Sequence, residues 1–215
     1  ALALGVSFQT SASVEKVDHG VPKSVVHFIK GEEDFSVSTQ YVLFNTASNI
    51  VNQCLPQAFV EEQLQGSVFK INMVLKKLPR LKGDRTSSKD AFTGTFHLNE
   101  NYEHMKSSYL YAQQGILMDA LPGEMYCHSL TDPSILSSDL KKRGYQTLTL
   151  FGLDVPYQWF TQDNDAIKEE ITRNYLRSIN LFIEEDIHDC LAKDTVGNLC
   201  IEAKSPVDLE NSIGL

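Results

Sequence analysis

The sequence predicts an α+β fold, in which a mixed, largely antiparallel β-sheet packs against helices. Strands and helices follow one another in irregular order, unlike a repeated strand–helix–strand array. Several strand candidates alternate apolar and polar residues, as half-buried antiparallel strands do. One segment beginning near Asp163 repeats apolar residues at helical spacing. The 215 residues are enough to bury a substantial core.

The first 46 residues are predicted to be rich in β structure. Alternation and flanking turn residues indicate these strands: Val6–Thr10, Ala12–Asp18, Ser24–Lys30 and Phe35–Val37. The continuous apolar run Tyr41–Phe44 predicts a strand that is buried on both faces. The polar residues of 45–48 can cap a helix formed around Ile50 and Leu55.

The middle of the chain predicts alternating short elements. In order, these are a helix at Pro56–Leu64, a strand at Ser67–Leu75, a loop at Arg80–Asp90, a strand at Phe92–Leu98 and a helix at Glu100–Gln114. The Ser67–Leu75 segment alternates most clearly, with Phe69, Ile71, Met73 and Leu75 on one face. That face is predicted to lie against the core.

The last third predicts a further sheet region and the longest helix. Strands are expected at Tyr126–Leu130, Gln146–Val155 and Leu199–Ala203. The helix that begins near Asp163 has apolar residues every four positions, which drift around a helix of 3.6 residues per turn. This drift also allows two helices with a break near Glu184-Glu185.

The two ends of the chain suggest that it is the middle of a longer protein. Ala1 is not preceded by Met, and the chain stops at Gly214-Leu215 one turn after a helix start. In that start, Ser205 is the predicted N-cap, Pro206 the first helical residue and Asp208 the third.

Composition excludes several classes of function. The net charge of -9 and the lack of a long basic run argue against a nucleic-acid partner. The longest apolar runs are far short of the roughly 20 residues of a membrane span. The four cysteines have no metal-type spacing and lie in apolar surroundings. They are predicted to be buried free thiols of an intracellular, reducing compartment.

Chemically suggestive residues each have a simpler explanation. His97 and His104 either form a metal pair or are unrelated packing residues, since a strand–helix junction separates them. Cys127 and His128 are neighbours on a predicted strand, so they point to opposite faces and cannot readily pair. The acidic run 184–186 is predicted to be a solvated helix end. The aromatic group 157–160 is predicted to be core or an interdomain contact. We therefore predict no catalytic residue and no metal site.

An ordered series of segments resembles the phytoene-dehydrogenase-like flavoproteins, in the branch that includes mitochondrial relatives. The segments are Gly5-Val-Ser-Phe-Gln-Thr10 with Ala12-Ser-Val14, Tyr41-Val-Leu-Phe-Asn-Thr-Ala47, Lys70-Ile-Asn-Met-Val-Leu75 with Leu78-Pro79, His128-Ser-Leu-Thr-Asp-Pro-Ser134, Gly144-Tyr-Gln-Thr-Leu-Thr-Leu-Phe151 with Val155-Pro-Tyr157, and Ser205-Pro-Val-Asp-Leu-Glu210. Each segment is weakly specific, but together they cover nearly the whole chain in the expected order.

The resemblance implies a substrate domain inserted into a split FAD-binding domain. Residues 1–46 would belong to the FAD-binding side, residues 47–204 to the substrate-binding domain, and residues 205–215 to the return. By position, Val14 would offer main-chain contacts to the adenine end of FAD, and Asn45 and Thr46 would lie near the flavin. The family's Gly-x-Gly-x-x-Gly cradle for the pyrophosphate is absent here. The chain alone is therefore not expected to hold FAD or to be active.

By resemblance, the expected function is part of a FAD-dependent oxidoreductase that positions an apolar, unsaturated substrate for hydride transfer. The face of Phe69, Ile71, Met73, Phe96 and Leu148 is either the substrate pocket or core. The resemblance also implies a cytoplasmic or mitochondrial-matrix location, and it is compatible with peripheral membrane contact. It further suggests a homodimer through the surface that would face the FAD-binding domain. The alternative function is a non-catalytic binding or assembly module that keeps the same fold.

Overall fold

The computed structural model describes residues 2–55, 66–83 and 86–213. The chain forms two compact units. The first comprises Ala1–Leu64 together with Glu210–Leu215, and the second comprises Gln65–Leu209. Each unit is built around its own antiparallel sheet, so the predicted α+β class is confirmed. The domain boundaries expected after residues 46 and 204 lie earlier than the boundaries of these units.

The first unit contains a three-stranded antiparallel meander. Its strands are β1 (Ala12–Asp18), β2 (Ser24–Lys30) and β3 (Glu33–Thr39), paired in that order. A two-residue turn joins β2 to β3, and Gly31 adopts a φ of 67° there. Glycine suits this turn because it lacks the Cβ that disfavours positive φ. Helix α1 (Ser48–Cys54) packs against β1.

Two strand predictions in the first unit are wrong. Val6–Thr10 has no strand pairing and follows a 3₁₀ turn at Leu2–Leu4. Tyr41–Phe44 also has no strand pairing, and the side chains of Tyr41 and Leu43 are 82% and 95% exposed. An apolar run becomes a doubly buried strand only if strands and packing layers surround it, and the described residues supply neither here.

The predicted polar cap of α1 is also wrong. The N-cap residue is Ala47, whose side chain makes no capping hydrogen bond. The side chain of Asn49 instead accepts a hydrogen bond from the backbone N–H of Ile50 at 2.7 Å. The helix is thus held by the burial of Cys54 rather than by a side-chain cap.

The second unit is a five-stranded sheet with helices on and around it. In chain order its strands are β4 (Phe69–Leu75), β5 (Thr95–Leu98), β6 (Gly123–Tyr126), β7 (Gln146–Gly152) and β8 (Ile201–Lys204). They are arranged β5-β6-β7-β4-β8, and every neighbouring pair is antiparallel. Its helices are α2 (Ser88–Thr93), α3 (Tyr102–Gln113), α4 (His128–Thr131), α5 (Ser138–Lys142), α6 (Asn164–Asn180) and α7 (Ile187–Cys190). Helix α8 (Pro206–Ile213) begins in this unit, and its residues from Glu210 onward belong to the first unit.

The core of the second unit lies on one face of the sheet, where α6 packs. The alternation predicted for β4 is confirmed, because all four residues of the predicted face are buried: Phe69, Ile71, Met73 and Leu75. From α6, Tyr175 fills the space above Gly152 and donates a hydrogen bond to the carbonyl of Pro122 at 2.8 Å. A Cβ on Gly152 would lie 2.3 Å from the Tyr175 hydroxyl, so glycine is required for this close approach.

Several boundaries in the second unit differ from the sequence predictions. The segment predicted as a strand at Phe92–Leu98 is divided at Gly94, which ends α2 and precedes β5. The strand predicted at Tyr126–Leu130 is wrong beyond its first residue, because β6 ends at Tyr126 and the following residues turn into α4. The predicted loop at Arg80–Asp90 ends earlier, since Ser87 caps α2. The helix predicted at Pro56–Leu64 lies outside the described residues.

Of the two possibilities for the long apolar stripe, the structure shows two helices, and the acidic run between them is not merely solvated. Helix α6 ends at Asn180, and Asp186 caps α7. Glu185 is only 16% exposed, and its carboxylate accepts hydrogen bonds from the Arg80 main-chain N–H at 2.8 Å and the Lys77 ammonium at 3.0 Å. Glu185 thus ties the α6–α7 connection to the segment after β4.

The predicted helix start at Ser205 is confirmed. The backbone N–H of Asp208 donates to the Ser205 hydroxyl at 3.1 Å, and the backbone N–H of Ser205 donates to the Asp208 carboxylate at 3.0 Å. This is a reciprocal capping box. Asp208 also forms an ion pair with Lys168 of α6.

Among the described residues, no helix is both long and apolar enough to cross a membrane.

Candidate functional site

The face of the five-stranded sheet opposite the core carries a series of polar and aromatic side chains. We call it the outer face, and define it by Lys70, Asn72, Thr95, His97, Glu124, Tyr126, Thr149, Phe151, Glu202 and Lys204. The register places these residues in two rows across the strands, because directly paired residues point to the same side. The most concentrated chemistry lies at the β5–β6 edge.

A histidine and two glutamates meet at that edge. His97 on β5 is directly opposite Glu124 on β6. Glu100 follows β5 in the turn before α3, which Asn99 enters with a φ of 54°. His97 Nδ1 contacts Glu100 Oε2. One ligand atom from each of the three residues lies within 4.8 Å of the others. We call this group the His–Glu–Glu cluster.

The carboxylates of this cluster are unevenly satisfied. The hydroxyl of Tyr126 donates a hydrogen bond to Glu124 Oε2. That hydrogen bond is the chief cause of a raised pKa for Tyr126, because the neutral phenol is the donor. Glu100 Oε1 is buried and has no hydrogen-bond partner in the part of the chain that the structure describes. Among the described residues, His97 is the sole ion-pair partner of Glu100, and Glu124 has none.

Aromatic side chains extend the outer face beyond the cluster. The Tyr126 ring meets Phe151 edge to face at 5.7 Å and stacks on His128 at 5.9 Å. The Lys70 ammonium lies 5.3 Å from the centre of the Phe151 ring. These contacts fix the phenol ring beside the cluster. They also give the middle of the face an apolar surface beside its polar groups.

A shallow groove of about 410 Å³ lies over the other half of the face. Its lining includes Asn72, Val74, Thr147, Thr149, Cys200 and Glu202. The Thr149 hydroxyl donates to Asn72 Oδ1 at 3.3 Å. The groove therefore offers amide, hydroxyl and carboxylate groups around an apolar floor, which suits a ligand with one polar edge.

The three residues predicted to contact FAD lie in the first unit. Val14 is on β1, at a bulge where the register with β2 shifts before Lys16. Its carbonyl accepts a hydrogen bond from the Cys54 thiol at 3.6 Å. Asn45 and Thr46 are exposed in the connection between β3 and α1. Their role in FAD binding stays a prediction, and so does that of Val14.

The packing of the second unit shows which of the other candidate residues belong to the core. The apolar face proposed as a pocket is core: Phe69, Ile71, Met73 and Leu148 are buried, and Phe96 stacks on Phe92. The aromatic group 157–160 also joins the core, where Phe160 stacks on Phe69. All four cysteines are free, and three are buried as predicted.

Of the two possibilities for His97 and His104, the structure shows unrelated residues, and His97 joins a different cluster. His104 Nε2 contacts the carbonyl of Ala120, whereas His97 lies against the glutamates. Cys127 and His128 belong to the β6–α4 junction rather than to one strand. No motif or spacing in the sequence singled out Glu100, Glu124 or Tyr126. The alternation in β5 and β6 marks them as outward-facing, but only the strand pairing brings them to His97.

Comparison with known proteins finds relatives that match almost the whole of this chain, but none with a stated activity. The chain is 37% identical over 214 residues to proteins of Mycobacterium bovis and of two strains of Mycobacterium tuberculosis, each named only as an uncharacterized protein. The match covers 98% of this chain and 39% of each relative, so the chain spans well under half of their length. No family model and no solved structure matches.

Proposed function

We propose that this chain is part of a FAD-dependent oxidoreductase similar to phytoene dehydrogenase. In this proposal the first unit belongs to the FAD-binding side, and the second unit holds an apolar, unsaturated substrate. FAD would supply the hydride chemistry, and the side chains of the second unit would orient the substrate and exclude water. No residue of the chain is assigned as a catalytic acid or base.

The observation that carries the proposal is the path of the chain between its units. Glu210–Leu215 belongs to the same compact unit as Ala1–Leu64, so the polypeptide leaves the first unit and later returns to it. The resemblance in the sequence implies this same out-and-back path around an inserted substrate domain. A chain that leaves one compact unit and later returns to it is what the insertion of one domain into another produces.

Exposed apolar residues of the first unit further support the proposal. Tyr41 and Leu43 belong to a segment that resembles the family's strand beside the flavin, and both are almost fully exposed. Exposed apolar surface of this kind marks an interaction site. The 214 matched residues are 39% of each mycobacterial relative, so each relative has more than 300 residues outside the match. That length is enough for a FAD-binding domain that could cover this apolar surface.

The outer face of the second unit is the proposed substrate-binding surface. Tyr126 and Phe151 offer aromatic surface to an unsaturated hydrocarbon, and the core face is closed by α6. Asn72 and Thr149 would contact the polar edge of a substrate in the adjoining groove. The apolar face of β4 and β7, for which the sequence left pocket and core open, is core.

The test is flavin binding by the product of the full open reading frame that contains this chain. We expect the purified protein to absorb at about 450 nm, and to release FAD on denaturation. The 215-residue chain alone is the control and is expected to be colourless. A full-length product that stays colourless after incubation with FAD would overturn the proposal. That result would favour the alternative, a non-catalytic binding or assembly module.

A further inference from the structure

The His–Glu–Glu cluster has the composition of a metal site. We propose that His97, Glu100 and Glu124 bind a divalent transition-metal ion, of which Zn²⁺ and Mn²⁺ are the representative cases. One imidazole and two carboxylates are ligands that these ions accept. The proposal does not depend on the proposed oxidoreductase function, because it rests on the ligand types and geometry of the cluster and on no property of a flavin.

The backbone brings the three ligands together without help from mobile segments. His97 and Glu124 are directly paired across neighbouring strands, so their side chains start from adjacent positions on one face. Glu100 is three residues beyond His97, in a turn that the Asn99 side chain fixes by donating to the carbonyl of Leu121 at 3.1 Å. A ligand set on two strands and a fixed turn is well ordered before any ion binds.

The spacing of the ligand atoms fits a small ion. The three atoms lie within 4.8 Å of one another. Ligand atoms about 2.0–2.2 Å from a tetrahedral zinc ion are roughly 3–4 Å apart, so small side-chain rotations suffice. His97 is exposed on the outer side of the cluster, which leaves a path for the ion and room for a water ligand.

The charge of the cluster favours a cation. Two carboxylates lie close together, and the described residues provide no lysine or arginine partner for either. Glu100 Oε1 is also buried, with no hydrogen-bond donor within residues 2–55, 66–83 and 86–213, and the Glu100 side chain as a whole is only 14% exposed. A buried carboxylate oxygen without a donor is costly, and a bound cation would compensate it.

Tyr126 serves as a positioning residue for this site. Its hydroxyl donates to Glu124 Oε2, and its ring is held between Phe151 and His128. Such outer hydrogen bonds orient the carboxylate that binds the metal, and their loss typically weakens metal binding by about 10- to 100-fold. Tyr126 thus gives the proposal an independent test that leaves all three ligands in place.

The experiment is a calorimetric titration of the untagged, metal-free chain with ZnCl₂, repeated with MgCl₂. We expect one saturable Zn²⁺ site and much weaker Mg²⁺ binding, because imidazole is a poor ligand for magnesium. Glu124→Gln and His97→Ala should each weaken Zn²⁺ binding by more than about tenfold, and Tyr126→Phe by about tenfold. Visible absorption bands of bound Co²⁺ should weaken in the same order.

The matched control is His188→Ala. His188 also contacts a carboxylate, Asp186 at 2.7 Å, but it lies in no three-ligand group within the described parts of the chain. This variant should bind Zn²⁺ as the unmodified chain does. Circular dichroism checks that each variant folds, and the isosteric Glu124→Gln keeps the test valid if His97→Ala does not. The proposal is overturned by no saturable Zn²⁺ binding, by full binding in Glu124→Gln, by equal Mg²⁺ binding, or by equal loss in His188→Ala.

Discussion

Glu185 should stabilise the second unit in a strongly pH-dependent way. Burial opposes its ionisation, but the hydrogen bonds from the Arg80 main-chain N–H and the Lys77 ammonium outweigh this effect and lower its pKa from 4.5 to about 2. Because the folded state favours the charged carboxylate, the resulting stability is fully present above pH 4.5. It is lost as the pH falls through about 2.

The size of the effect follows from that pKa difference. A shift from 4.5 to about 2 corresponds to an upper limit of about 3 kcal/mol, at about 1.4 kcal/mol per unit. The side chains of Lys77 and Arg80 are 48% and 71% exposed, so solvent screens much of the attraction. We therefore expect Glu185→Gln to cost about 1–2 kcal/mol at pH 7.

Urea unfolding of the chain at pH 7 and at pH 2.5 measures this contribution. The difference between Glu185→Gln and the unmodified chain should shrink at the lower pH, where the carboxylate begins to be protonated. Glu184→Gln is the matched control, since among the described residues its more exposed carboxylate forms an ion pair with the Arg80 guanidinium alone, and it should matter by less than about 0.5 kcal/mol. Equal stability of Glu185→Gln and the unmodified chain at pH 7 would refute the reasoning.

Three further predictions concern packing, capping and exposure. Gly152→Ala should destabilise the second unit by about 1–3 kcal/mol in urea unfolding, because its Cβ would lie 2.3 Å from the Tyr175 hydroxyl; Gly94→Ala, with open space at that position, should cost far less. Ser205→Ala should cost about 1–2 kcal/mol in the same assay, since it removes the cap of α8 and a buried hydrogen bond to Asn164. An unchanged midpoint would contradict either prediction. Leu43→Ser should change the stability of the isolated chain by less than about 0.5 kcal/mol, but should weaken FAD retention by the full-length product if this residue is covered there.

Local sequence signals were reliable where a single element decides the outcome. The alternation in β4 identified its buried face, and the drift of the apolar stripe allowed the break after α6. Ser205 and Asp208 formed the predicted cap because a capping box needs only residues three apart. Each of these features depends on residues that are close together in the sequence, so the sequence is sufficient to predict it.

The wrong secondary-structure predictions concern segments whose structure depends on residues far away in the sequence. Tyr41–Phe44 has the composition of a buried strand, but strand formation requires a partner that its own residues do not specify. Phe92 is as apolar as a core strand residue and is indeed buried, but from a helix that Ser87 caps. Apolar composition predicts burial better than it predicts the element that provides it.

The sequence by itself determined the α+β class, the core face of β4 and the cap at Ser205, and it left open whether the long apolar stripe is one helix or two. It also carried the resemblance from which the proposed function starts. Only the tertiary structure decided that His97 lies beside Glu100 and Glu124, and that the apolar face of β4 is core. The physical reason is that strand register joins residues far apart in the chain, and one-dimensional spacing does not contain that register.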